Sequence, residues 1–199
     1  MADPQTTLSM PTAAFLTTCD FVGGRVLDAG CGSKPYKRLF PGCDWVGLDV
    51  RPVGDVEGDI HELPFPDEEF DCVICTEVLH LCAWPQVAMK QMARVLKPGG
   101  YIIVTVPNTS EEDEATLFNI KLRGLTVLLE MGGFSGVQIG TEGRLFKQEW
   151  QDFSRYTKYG VSQPPDIEGW LKQMDTRYPS VTIAVARKES HVDVDDAQG

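Results

Sequence analysis

Two aspartates and two glycines are the residues of this chain whose types and spacing could do chemistry. Asp28 sits near the end of the apolar run RVLDA, and Gly30 and Gly32 follow at once in VLDAGCGSKPY. Asp49 sits near the end of a second apolar run, WVGLDV, about twenty residues further on. A GxG just after a strand lets backbone and ligand approach closely, because glycine adopts conformations that other residues avoid. A nicotinamide-dinucleotide site would want GxGxxG, and the third glycine position is Pro35 here. A pyrophosphate would also lie close to the Asp28 carboxylate, which repels it. The four residues therefore call for a ligand that is cationic, lacks phosphate and offers a ribose diol to Asp49. S-adenosylmethionine fits: it carries an α-ammonium and a sulfonium and no phosphate.

These residues need a scaffold that brings strand ends together. RVLDA, WVGLDV, DCVIC and YIIVTV are apolar runs too short for helices and suited to buried strands, with VEGD as a short further strand. WPQVAMKQMARVLKPGG repeats apolar residues at helical spacing and is stopped by KPGG. ATLFNIKLRGLTVLLEMGG reads as a second helix, and FSGVQIG and VTIAVARK as the last strands. Pro35 fits the first turn of a short helix running through Leu39 and Phe40, which PGCD then ends. PTAAFLTTC predicts a short first helix. Strands alternating with helices predict an α/β fold with a mostly parallel sheet, which binds ligands at the carboxyl ends of its strands.

The 199 residues suffice for one domain, expected over 1–190 with an acceptor-side insert at about 141–179 and a disordered acidic tail at 191–199. The formal net charge of −11 works against a nucleic-acid partner, because phosphate backbones are repelled. No apolar run is long enough to span a membrane, and the N-terminus lacks the pattern of a signal peptide, so a cytoplasmic location is expected. Cys72 and Cys75 form a CxxC, but three apart on a strand they face opposite ways and cannot clamp one metal. No metal site is expected.

The blocks VLDAGCGSKPY, WVGLDV, GDIHELPFPDEEFDCVICTEVLHL and VLKPGGYIIVTVP, in this order, resemble the class I S-adenosylmethionine-dependent methyltransferases over roughly residues 25–107. The nearest likeness is to small-molecule enzymes of quinone-biosynthesis and saccharide-cluster type. The resemblance implies a Rossmann-like, doubly wound sheet of seven strands in the order 3-2-1-4-5-7-6, with strand 7 antiparallel. It implies that Asp28, Gly30 and Gly32 line the methionine end and that Asp49 takes the ribose. Asp59 would accept from the adenine amine and Ile60 would pack on its ring. Thr76 and Glu77 would stand beside the methyl group. Each has a plainer reading: Asp59 as a helix cap with Glu62 three residues on, Ile60 as core, Glu77 as a solvated acid. Two departures stand out. Lys34 replaces a common third glycine and reads as solvent-facing or as reaching an acidic acceptor. His80 stands where relatives carry an acid and Leu81 where they carry a histidine, so no histidine role transfers to Leu81. His80 reads as a base or as a surface histidine.

The resemblance thus implies methyl transfer from S-adenosylmethionine to a small-molecule acceptor, with S-adenosylhomocysteine as product. His80, Glu77 and, behind them, Tyr36 are the candidate bases, needed only if the acceptor must lose a proton. Trp84, Phe118, Phe146, Trp150, Phe153, Tyr156 and Tyr159 could wall an apolar acceptor or simply pack a subdomain. The alternative is a methyltransferase-like partner or scaffold that binds the cofactor without catalysis.

Overall fold

The computed structural model describes residues 23–107, 116–141 and 181–189. The expected first helix, most of the acceptor-side insert, the acidic tail and the five aromatics from Phe146 to Tyr159 lie outside the described residues. The strands are β1 (Arg25–Ala29), β2 (Asp44–Asp49), β3 (Val56–Glu57), β4 (Phe70–Thr76), β5 (Leu96–Pro107), β6 (Phe134–Thr141) and β7 (Val181–Lys188). They form one seven-stranded sheet in the order β3-β2-β1-β4-β5-β7-β6. β1 to β5 pair in parallel, and β7 runs antiparallel to both β5 and β6. The order and the antiparallel β7 agree with the expected Rossmann-like sheet.

The central strands are apolar throughout because both of their faces are covered. Leu27, Ala29, Val73 and Cys75 point into the larger core, under helices α1 (Pro85–Val95) and α2 (Leu122–Met131). Val26, Cys72 and Ile74 point into a second core with Tyr36, Phe40, Trp45 and Tyr101. The two cysteines of the CxxC therefore lie in different cores, as strand alternation requires.

Three elements differ from the sequence reading. The helix expected after Pro35 shrinks to a single 3-10 turn, Lys37–Leu39, because Tyr36 and Phe40 on either side of it turn into the second core. α2 begins only at Leu122, since the N–H groups of Leu117 and Phe118 are donated to the His80 carbonyl at 2.9 and 3.1 Å. Those donors hold the segment before Leu122 against another loop. KPGG does end α1, yet it already belongs to β5: Leu96 pairs with Phe70, and the register shifts before Tyr101 meets Cys72.

Candidate active site

Parallel pairing puts the loops after β1, β2 and β4 on one edge of the sheet, and the candidate residues gather there. The loop after β1 is fastened to β2 first, as the N–H groups of Gly30 and Cys31 donate to the Leu48 carbonyl at 2.8 and 3.0 Å. Gly30 takes φ +84, and a Cβ there would lie 2.3 Å from a Val78 methyl. Both the positive φ and the packing against Val78 therefore require glycine there. Gly32, at φ +51, is the open one: a Cβ there would meet only the Arg51 guanidinium, at 3.8 Å. The Gly32 N–H donates to Asp49 Oδ2 at 2.9 Å. Asp49 Oδ1 accepts the Arg51 backbone N–H at 3.0 Å and its Nε–H at 3.1 Å. Burial raises the Asp49 carboxyl, but these donors outweigh it and hold the group below the usual carboxylate range.

Asp28 is fully buried, and neither of its oxygens has a hydrogen-bond partner among the described residues. Burial, aided by the charge of Asp49, pushes its pKa up to about 8. The two carboxylates thus lie on adjacent strands and feel each other's charge. A cationic ligand is what such a pair lacks.

The Lys34 ammonium is not free in solvent. The residue holds φ 60, which explains why glycine suits this position, and its Nζ pairs with Asp55 Oδ1 at 2.6 Å. Asp55 Oδ2 accepts the Gly47 N–H at 2.9 Å, so the ion pair ties the β1 loop to the β2–β3 connection.

After β3, Asp59 does not cap a helix. Its Oδ1 accepts the His61 N–H at 2.9 Å, and its carbonyl accepts from Glu62, in a tight turn. This N–H first, against the effect of burial, sets its carboxyl below the ordinary range. Its side chain is exposed. Ile60 is buried in the larger core.

After β4, Thr76 is buried and lies in register with Thr105 of β5. Glu77 holds φ 56, a costly conformation for a residue with a side chain. Its N–H donates to the Thr105 carbonyl at 3.0 Å, and the Thr105 hydroxyl donates to Glu77 Oε1 at 2.7 Å. Glu77 is not a solvated acid: burial raises its carboxyl, and the Thr105 bond offsets only part of this. His80 is buried rather than on the surface. Around it Leu81, Trp84, Leu117 and Phe118 are exposed.

The structure thus brings Asp28, Gly30, Gly32, Asp49, Thr76, Glu77 and His80 to one sheet edge, with Asp59 and Ile60 in the turn after β3. Arg51, His61 and Thr105 escaped the sequence reading. Only His61 left a sequence signal, because the Asp-x-His spacing of DIH is that of a side chain closing on its own turn.

A methyltransferase-domain family model matches residues 27–104. A provisionally named methyltransferase of Encephalitozoon cuniculi is 35% identical over 154 residues, covering 59% of this chain and 73% of that protein. A fatty-acid O-methyltransferase of Mycolicibacterium smegmatis is 36% identical over 104 residues, covering 43% of this chain and 38% of that protein. A tRNA carboxymethyluridine methyltransferase of Arabidopsis thaliana is 33% identical over 118 residues, covering 53% of this chain and 29% of that protein. The chain thus spans well under half of these last two relatives. In structure it resembles a Haloferax volcanii protein solved with the Trm112 methyltransferase activator, with a TM-score of 0.67, 20% identity, and coverage of 92% of this chain and 91% of that one.

Proposed function

This chain belongs to the class I S-adenosylmethionine-dependent methyltransferases, and from that premise we propose that it methylates a small-molecule acceptor with an apolar body. The observation that carries the reading is the pair of carboxylates, Asp28 and Asp49, on adjacent parallel strands beside a left-handed glycine loop. Asp28 has no donor of its own among the described residues, and Asp49 anchors Gly32. A cationic amino-acid and sulfonium moiety suits the first, and a ribose diol the second.

In this reading Asp28, Gly30 and Gly32 hold the methionine end, Asp49 the ribose, and Asp59 and Ile60 the adenine. Thr76 stands beside the methyl group. When bound, the cofactor supplies a methyl carbon already activated by positive sulfur. The chain supplies position, which is worth up to roughly 7–11 kcal/mol in well-oriented systems. Asp49 exchanges the half-exposed Arg51 side chain for ribose hydroxyls. Glu77 is held by Thr105 in one strained pose. Its raised carboxyl places it nearer neutrality than an ordinary glutamate, where it can take a proton from the acceptor. His80 is the second candidate base.

Support for an apolar acceptor comes from Leu81, Trp84, Leu117 and Phe118, which stand exposed around the His80 turn. The likeness to a fatty-acid O-methyltransferase fits such a substrate. The tRNA-directed relative makes RNA the competing class, against which the net charge of −11 stands. A second reading, a partner or scaffold that binds the cofactor without turnover, is favoured by one contact, the Arg51 side chain held on Asp49. The test is transfer of labelled methyl from S-adenosylmethionine to a panel of fatty acids, phenols, amines and tRNA transcripts. Labelling of an apolar small molecule supports the proposal. Labelling of tRNA alone overturns it, and cofactor binding with no transfer at all favours the second reading.

A further inference from the structure

We propose that His61 is a positioning residue, whose imidazole holds the Asp59 carboxylate in the orientation that reads the exocyclic amine of adenine. The inference rests on the cofactor reading above. It starts from the ring's two nitrogens. Nδ1 lies 2.5 Å from Asp59 Oδ1. Nε2 lies 3.4 Å from the backbone nitrogen of Trp84, which points its N–H at the ring. A backbone N–H only donates, so Nε2 is the accepting nitrogen. A neutral imidazole then carries its proton on Nδ1 and donates it to Asp59. The Trp84 indole meets the ring edge-on, with centroids 5.9 Å apart and planes at 80°. The imidazole is therefore held at both nitrogens and braced by the indole.

Asp59 gains what its exposure would otherwise deny it. Its side chain is 59% exposed, against 20% for His61. A carboxylate that open would normally sample several rotamers, and ordering it on binding would cost affinity. Here Oδ1 accepts from both the His61 N–H and the His61 ring, so the rotamer is fixed in advance. Oδ2 has no partner among the described residues and is left as the acceptor for a ligand donor. A carboxylate so fixed rewards an amine and repels a carbonyl oxygen in the same place, which is the difference between adenine and hypoxanthine. His61 does this from behind Asp59. The same ring satisfies the Trp84 N–H, and Trp84 immediately precedes α1, so the adenine loop and the start of that helix share one imidazole.

The test compares S-adenosylhomocysteine with S-inosylhomocysteine by calorimetry. The wild-type protein should prefer the adenosyl ligand, and Asp59→Asn should lose most of that preference. His61→Ala should lower the preference about tenfold, the effect of releasing one charge-assisted hydrogen bond. His61→Asn, whose amide N–H sits where Nδ1–H sits, should recover part of it. In the ligand-free protein, nitrogen NMR of His61 should show Nδ1 protonated and Nε2 bare. A His61→Ala protein that melts lower but keeps the full preference would overturn the positioning role, as would a ring protonated on Nε2 alone. Failure of the wild-type protein to bind S-adenosylhomocysteine would instead overturn the cofactor reading, and the adenine role with it.

Discussion

The edge of the sheet has two sides built on opposite principles. Over β1 to β3 the loops are laced by polar contacts: Gly32 to Asp49, Lys34 to Asp55, His61 to Asp59. After β4 the rim is apolar and exposed, and a polar pair, Glu77 with the buried Thr105, lies beneath it. The first side is shaped before any ligand arrives, so ligand binding there loses little ordering entropy. The second side fixes one acidic group rigidly and leaves its surroundings greasy, which suits an acceptor recognised by its apolar area.

Mutations can break or sharpen this contrast. The largest effect is expected at Asp49, which anchors Gly32 and, in the proposed reading, takes the ribose. Asp49→Ala should weaken S-adenosylhomocysteine binding at least about 100-fold in calorimetry, the combined effect of two charged hydrogen bonds. Unchanged affinity would mean that the laced side is not the cofactor side. Next comes Glu77→Gln, which should lower kcat by roughly 100-fold while leaving the cofactor's Kd nearly untouched. As a base Glu77 works ionised, so the wild-type rate should fall as pH drops through a titration above the ordinary glutamate range. A variant that weakened cofactor binding as much as turnover would erase the division of labour.

Asp28 gives a pH signature. Its folded value of about 8 exceeds the ordinary 3.8, so between those values the folded state keeps a proton that the unfolded chain has lost. Stability contributed here is present at low pH and declines as pH rises toward 8, by at most about 1.4 kcal/mol per pH unit. Asp28→Asn should flatten that slope in thermal melts. A cationic ligand favours the ionised carboxylate, so at pH 7 S-adenosylmethionine should release more protons on binding than S-adenosylhomocysteine does, read by calorimetry in buffers of different ionisation enthalpy. Phe118→Ala should raise the acceptor's KM by about fivefold through lost apolar contact, with cofactor Kd unchanged. The smallest effect is at Lys34. Lys34→Ala loses a partly exposed ion pair worth up to about 1 kcal/mol and keeps the awkward backbone. Lys34→Gly relieves that backbone and should be more stable than the alanine variant by about 1 kcal/mol in urea titrations.

Much of the laced side could be read from the sequence. RVLDA, WVGLDV and DCVIC announce strands buried on both faces, and a parallel sheet then places Asp28 and Asp49 together without further information. The partners of these residues were less visible. Thr105 reaches Glu77 only through the register of β5 on β4, and Arg51 reaches Asp49 only because the chain turns back on itself. Lys34 looked solvent-bound because Asp55 lies 21 positions away across a loop. The late start of α2 has one cause, the docking of the Leu117 and Phe118 backbone on the His80 carbonyl. That contact joins distant segments and leaves no periodicity in either.

The Gly30–Val78 contact carries a consequence for how this protein can change. The glycine loop after β1 and the turn that presents Glu77 and His80 touch where one has no side chain and the other has a branched one. A methyl group gained at position 30 must be met by a shift or by bulk shed at position 78, which would move the acid and the imidazole relative to the β1 loop. Shedding bulk at position 78 removes the collision but not the strain of a side chain at φ +84, so a Gly30→Ala protein crippled in turnover should regain only part of it when Val78→Ala is added.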